Sequence, residues 1–146
     1  MKTKIMNAFK PLAQPTAASV ALLLLRLVAG LAFVLHGWGK IQSPMSWMPA
    51  EAPVPGFLQL LAAVAEFGGG IAWILGLLTP LASLGIAITM AVASAMHLFA
   101  LGDPFVAMKG GSSAEPAMIY LVVALALMMV GPGRFSIDRK LFGPRI

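Results

Sequence analysis

A carboxylate, Glu66, sits near the middle of the apolar run Gln59 to Leu77, and Gly68, Gly69 and Gly70 follow at once. A guanidinium, Arg26, interrupts a second apolar run, Ala17 to Leu35. An acid or a base at such depth is costly in hydrocarbon, and intramembrane ionisable residues mark ligand or proton sites. His36, His97 and Glu115 fall at the edges of apolar runs. Histidine titrates near neutral pH, so it can hydrogen-bond or protonate a ligand oxygen. The chain has no cysteine, which excludes disulfides, thiol catalysis and cysteine-held metals or clusters. Electrons in any redox reaction would have to come from a bound cofactor or a partner.

The elements that position these groups are membrane spans. Of the 146 residues, 60% are hydrophobic and 10% charged, against about 25% charged in a soluble domain. The mean hydropathy is +0.92. The fold class is all-α, an integral membrane antiparallel four-helix bundle. Spans are expected over residues 19–36, 56–78, 80–101 and 114–130, between a basic tail, 1–18, and a second basic tail, 131–146. The first apolar run is longer than a signal-peptide core of about 7–15 residues, so it reads as an uncleaved span. Pro44, Pro49, Pro53 and Pro55 crowd the first loop, which packing or the membrane surface must order. Ser112 or Ser113 is expected to cap the fourth span.

The net charge of +5 lies mainly in the tails, as Lys2, Lys4 and Lys10 and as Arg134, Arg139, Lys140 and Arg145. That distribution points to topology and contact with anionic lipid, not to nucleic acid. Both termini are expected in the cytoplasm, with the longer loops facing outward from a bacterial inner membrane.

At about 1.5 Å per residue, Arg26 lies roughly 10 Å above the inner end of its span and Glu66 roughly 15 Å below the outer end of the next. Both fall near the middle of a core about 30 Å thick, and an Arg26–Glu66 ion pair is expected. At the helical period Arg26, Gly30, Phe33 and Gly37 share one stripe. Gln59, Ala62, Ala63, Glu66, Gly70 and Trp73 share a second, and Ser83, Ala87, Met90, Ser94 and His97 a third. Glu115, Ile119, Val122 and Met129 share a fourth. Facing these stripes inward makes an outward-opening pocket bounded by Arg26, His36, Glu66, His97 and Glu115, with Trp38, Trp73 and Met90 as walls. Such a pocket suits a flat amphipathic ligand such as a quinone, its carbonyls accepting from histidine or arginine and its tail in lipid.

Each residue also has a plainer role. Arg26 and Glu66 can be a structural brace, and Glu115 can complement a helix N-terminus. His36 can be an interfacial residue, and Trp38 and Trp47 anchors at the membrane surface. Two histidines can ligate haem iron, but nothing in the sequence fixes their separation. No haem and no metal site is expected.

The chain resembles the DoxX family of small four-span membrane proteins. The resemblance rests on LLRLVAGLAFVLHGWGKI, AEFGGGIAWILGLLTPLA, His97 and GPGRFSID, and covers Leu24 to Arg139. Arg26, His36, Gly37, Lys40, Glu66, Gly69, Gly70 and His97 match the family pattern. The resemblance implies a membrane subunit of a quinone-linked redox or sulfur- and oxidative-stress system, such as thiosulfate:quinone oxidoreductase, with protein partners or self-association. A non-catalytic assembly or scaffold subunit and a small oligomeric transporter are the alternatives. Family membership assigns no catalytic residue.

Overall fold

The computed structural model describes residues 9–51 and 54–144. Its main helices are α1 (Thr16–Gln42), α2 (Gly56–Leu75), α3 (Thr79–Ala95) and α4 (Glu115–Val130). A π-helical turn, Met96–Ala100, continues α3, and a short helix, α5 (Ile137–Phe142), lies in the C-terminal tail. Three helices, Thr16–Gln42, Gly56–Leu75 and Thr79–Ala100, are long and apolar enough to cross a membrane, and Glu115–Val130 is a shorter apolar helix. Leu24, Val28, Leu35, Leu61, Ile88, Val92, Val122 and Met129 are exposed along their flanks. That apolar belt belongs against lipid, and the chain is a multi-pass, all-helical membrane protein.

α1 is longer than expected. It runs through His36-Gly37-Trp38-Gly39-Lys40 to Gln42, for 27 residues. The two glycines do not break it, because Gly37 is where α2 comes closest. A Cβ on Gly37 would lie 2.5 Å from the Phe67 backbone nitrogen. Two turns further in, a Cβ on Gly70 would lie 2.7 Å from the Gly30 carbonyl oxygen, and one on Gly30 2.8 Å from that of Gly70. Small residues let the two backbones approach, which is how helices associate where water supplies no hydrophobic drive. Inside this contact Phe33 packs edge-on against Trp73 and Tyr120, with ring centroids 5.4 and 4.9 Å apart. Ile86, Ala124 and Leu127 complete the core.

The stripes expected for the first three spans are the buried faces of α1, α2 and α3, except that Ala62 is half-buried and His97 lies half-buried in the π-helical turn beyond α3. The fourth stripe is wrong. α4 buries Ala117, Ala124 and Leu127, while Ile119, Val122 and Met129 face out. That stripe was anchored on Glu115, and Glu115 occupies the first turn of α4. A carboxylate at a helix end can reach water, so it does not dictate which face turns inward.

The inner end of the bundle is held by the C-terminal tail. α2 ends in a Schellman motif: Gly76 is left-handed, Gly76 N donates to Trp73 O and Leu77 N to Ala72 O. Arg26 is 1% exposed and reaches across to this helix end. Its Nε donates to Trp73 O at 2.9 Å, its Nη1 to Pro132 O at 2.5 Å and its Nη2 to Phe135 O at 3.0 Å, with Ile74 O 3.4 Å away. The buried Asp138 of α5 accepts from Leu78 N at 2.6 Å and Thr79 N at 2.8 Å, so it caps α3 from sixty residues downstream. Leu78 is left-handed, with φ of 46°. A leucine there is strained, and the Asp138 carboxylate holds it in place.

The expected Arg26–Glu66 pair is therefore not formed. The register of Gly37 against Phe67 and Gly30 against Gly70 places Glu66 about eleven residues, or ~16 Å, outward of Arg26. The estimate of equal depth failed because α1 extends six residues past His36 and lifts its outer end. Arg26 instead satisfies the carbonyls of a helix C-terminus, where a cation is favourable.

Two outcomes follow for thermal unfolding in mild detergent. Gly37→Ala and Gly70→Ala each force backbones apart and should cost about 1–3 kcal/mol. Gly68→Ala, where a Cβ meets nothing within 4 Å, should be neutral or gain up to about 1 kcal/mol from helix propensity; equal effects at the three positions would refute this register. Asp138→Ala leaves two backbone donors uncapped and should cost about 1–3 kcal/mol, with Asp138→Asn intermediate. An unchanged melting temperature would show the cap to be unimportant.

Candidate functional site

α2 and α3 meet over small residues. A Cβ on Gly85 would touch the Ala65 methyl group at 3.3 Å, and Gly69 lies against Ile86. Between the larger side chains on either side runs a groove of about 820 Å³. Gly68, Gly69, Ala72, Ala82 and Gly85 form its floor, and Leu58, Leu61, Val64, Ile88 and Val92 its walls. Those wall residues are among the exposed apolar side chains, so the groove is open along its flank to lipid.

Two polar clusters interrupt this apolar lining. In the first, Lys40 Nζ donates to both oxygens of Glu66, at 2.6 and 2.7 Å. The Glu66 side chain is 3% exposed and that of Lys40 25%. The ammonium also lies 4.5 Å from the centre of the Trp47 ring, a cation–π contact. Trp47 is held in turn, because its indole N–H donates to Gln59 O at 2.9 Å. The Gln59 side chain accepts from Met48 N at 3.0 Å and donates to Val54 O at 2.9 Å. One buried glutamine thus pins the proline-rich loop over the outer end of the groove. Residues 52 and 53 of that loop, including Pro53, lie outside the described residues.

The second cluster stands at the outer rim. In the π-helical turn Leu101 N donates to Met96 O, and Asp103 N donates to His97 O just beyond it. That wider coil turns the chain so that Asp103 meets the His97 ring, Nδ1 to Oδ2, at 2.8 Å. Ser112 Oγ donates to the same carboxylate oxygen at 2.6 Å. The Ser112 hydroxyl, then the His97 ring, hold the Asp103 carboxyl below its usual range, so it is ionised at any ordinary pH. Ser112 therefore does not cap α4, which begins at Glu115 after Ala114 with no side-chain cap.

Of the residues expected to bound one pocket, Glu66 and His97 line the groove. They do so at different levels. The pairing of Ala65 with Gly85 puts His97 about thirteen residues, or ~20 Å, toward the outer end from Glu66. Arg26 belongs to the inner end, and His36 is exposed on α1 away from the groove. Trp73 is not a wall. It is fully buried, and its N–H donates to Ser83 Oγ at 2.9 Å. Glu115, half-buried at the start of α4, also lies off the groove.

Lys40, Trp47, Gln59, Asp103 and Ser112 carry the site but were not read as parts of it. Lys40 was legible as one helical turn beyond His36, had the helix been continued through the glycines.

The Lys40–Glu66 pair makes a measurable prediction. Lys40→Met leaves a nearly buried carboxylate without its cation and should destabilise the protein by about 3 kcal/mol. Lys40→Met with Glu66→Gln should recover most of that loss in a detergent melting experiment. Additive losses would mean that the two residues are not coupled.

The comparisons with known proteins agree with this architecture. The DoxX family model matches residues 21–99, which include most of α1, all of α2 and α3, and His97. The chain is 33% identical over 127 residues to "Inner membrane protein YqjF" of Escherichia coli (strain K12), a span of 84% of this chain and 92% of that relative. No solved structure matches the chain. Arg26, Lys40, Glu66 and His97 all fall inside the matched segment, and the chain belongs to the DoxX family.

Proposed function

We propose that this protein is a membrane subunit that holds a quinone-like small molecule in the groove between α2 and α3, within a quinone-linked redox or sulfur- and oxidative-stress system. The groove itself supports this reading: about 820 Å³ with apolar walls, open to lipid, and polar chiefly at the Lys40–Glu66–Trp47–Gln59 cluster and at the His97 rim, with the Thr89 hydroxyl turned to Gly85 O. Few and localised polar groups in an apolar cleft are the usual make-up of a small-molecule site. An isoprenoid tail matches the Leu61, Val64, Ile88 and Val92 walls, and a ring matches the outer end, beside the face of Trp47 and the His97 imidazole. The Lys40–Glu66 pair below it is charge-balanced, so it offers hydrogen bonding without a net charge in the hydrocarbon. With no cysteine in the chain, sulfur chemistry would belong to a partner subunit and ligand binding to this one.

Charge placement supports an orientation. Lys10, Arg134, Arg139 and Lys140 lie where the tails pack together, with Phe9 and Phe142 rings 5.5 Å apart. Glu51, Asp103 and Glu115 lie at the other end, with Lys40 and Lys109. The positive-inside rule then puts both tails in the cytoplasm, and the relative described as an inner membrane protein supports that membrane.

The satisfied Lys40–Glu66 pair favours a second reading, a non-catalytic assembly or scaffold subunit in which the groove is filled by lipid. A titration decides between them. A medium-chain benzoquinone is added to the protein in lipid nanodiscs, and quenching of tryptophan fluorescence is followed. Wild type should quench saturably. Gly68→Leu fills the groove floor from an unobstructed position and should weaken binding at least tenfold. Equal quenching of both proteins would sink the quinone reading and leave the scaffold.

A further inference from the structure

The His97 cluster carries more than a place on the rim. An ionised carboxylate only accepts hydrogen bonds. Asp103 lies 2.8 Å from His97 Nδ1, so the neutral ring carries its proton on Nδ1. Nε2 is then a lone-pair acceptor, and among the described residues it has no hydrogen-bond partner. Three features fix that ring. The π-helical turn re-aims the end of α3, a departure from α-helix that often marks functional sites. Asp103 clamps Nδ1. Ser112 clamps Asp103. The His97 side chain is 31% exposed, and it lines the outer end of the groove.

An acceptor nitrogen recognises O–H, not C=O. We infer that His97 selects the hydroxyl-bearing, reduced form of a ring ligand at this rim: a quinol or similar phenol donates its O–H to Nε2, while Asp103 and Ser112 keep the imidazole in the accepting tautomer. The inference rests on the groove being a ring-ligand site. It adds which redox form the site prefers and which atom decides. His97 is the residue that touches the ligand, and Asp103 and Ser112 are positioning residues.

The test compares a medium-chain benzoquinol with its dimethyl ether, which keeps the ring and tail but has no O–H. Each is used to displace the corresponding benzoquinone from protein in nanodiscs, under reductant-free, anaerobic conditions. Wild type should hold the quinol roughly tenfold more tightly than the ether, as one well-made hydrogen bond allows. His97→Leu should erase the preference without lowering affinity for the ether. Asp103→Ala, which frees the tautomer, should reduce it severalfold, and it serves as the second variant should His97→Leu not fold. A wild type that binds both compounds equally, or a preference that survives His97→Leu, overturns the inference while the groove reading stands. If the quinone itself shows no saturable binding to wild type, the groove reading fails first and this inference falls with it.

Discussion

Arg26 is the constraint on which the inner half of the structure depends. A guanidinium with 1% exposure in a helix flanked by lipid-facing leucines must find acceptors for its donors. It finds them at three places that would otherwise have loose carbonyls: the C-terminus of α2, Pro132 after α4 and Phe135 in the tail. The end of α2 is remote in sequence from Pro132 and Phe135, and the cation fixes where they meet. Gly76, left-handed at φ of 65°, also has no room for a Cβ, which would lie 2.5 Å from Ser136 Cβ and 2.8 Å from Arg26 Nη1. Trp73, whose carbonyl accepts from Arg26 and whose indole donates to Ser83, then carries that order into the α2–α3 contact.

The outer half is built on a different ion, with a different solution. Lys40 is long enough to reach from the end of α1 down to Glu66, so a carboxylate near the middle of α2 is neutralised from the membrane surface. This is snorkelling used in reverse: the charged head is drawn inward to a partner while the stem stays along the helix. The two solutions divide the molecule. The inner end is closed, capped and packed, and the outer end keeps an open groove with polar groups at its lip.

The legible part of this fold was what apolar length and helical period dictate. The stripes through Arg26 and Glu66 were readable because a buried ionisable residue within a span has to face inward, and the third was readable from the helical spacing of Ser83, Ala87, Met90 and Ser94. Glu115 broke that logic, since a helix end exempts it. Pairing was not readable from depth alone. It depended on where α1 stops, and the Gly37-Trp38-Gly39 segment looks like a terminus when it is a contact surface. The site partners in loops, Trp47, Asp103 and Ser112, sit in segments with no period, where only three-dimensional closure brings them to Lys40 and His97.

The Asp138 cap has a consequence for how the chain assembles. The turn from α2 to α3 contains a leucine in an unfavourable backbone conformation, and two amides there that no helix bond uses are satisfied by a residue sixty positions later. During synthesis that hairpin is made, and enters the bilayer, well before its keystone exists. The first two helices can zip together through their glycines as soon as they are inserted, but the second and third stay provisionally joined until the tail emerges and folds back. Assembly therefore ends where the tail meets the α2–α3 turn rather than in the middle of the bundle. The tail segment that carries Asp138, short and basic though it is, acts as the closing step of a membrane-embedded fold.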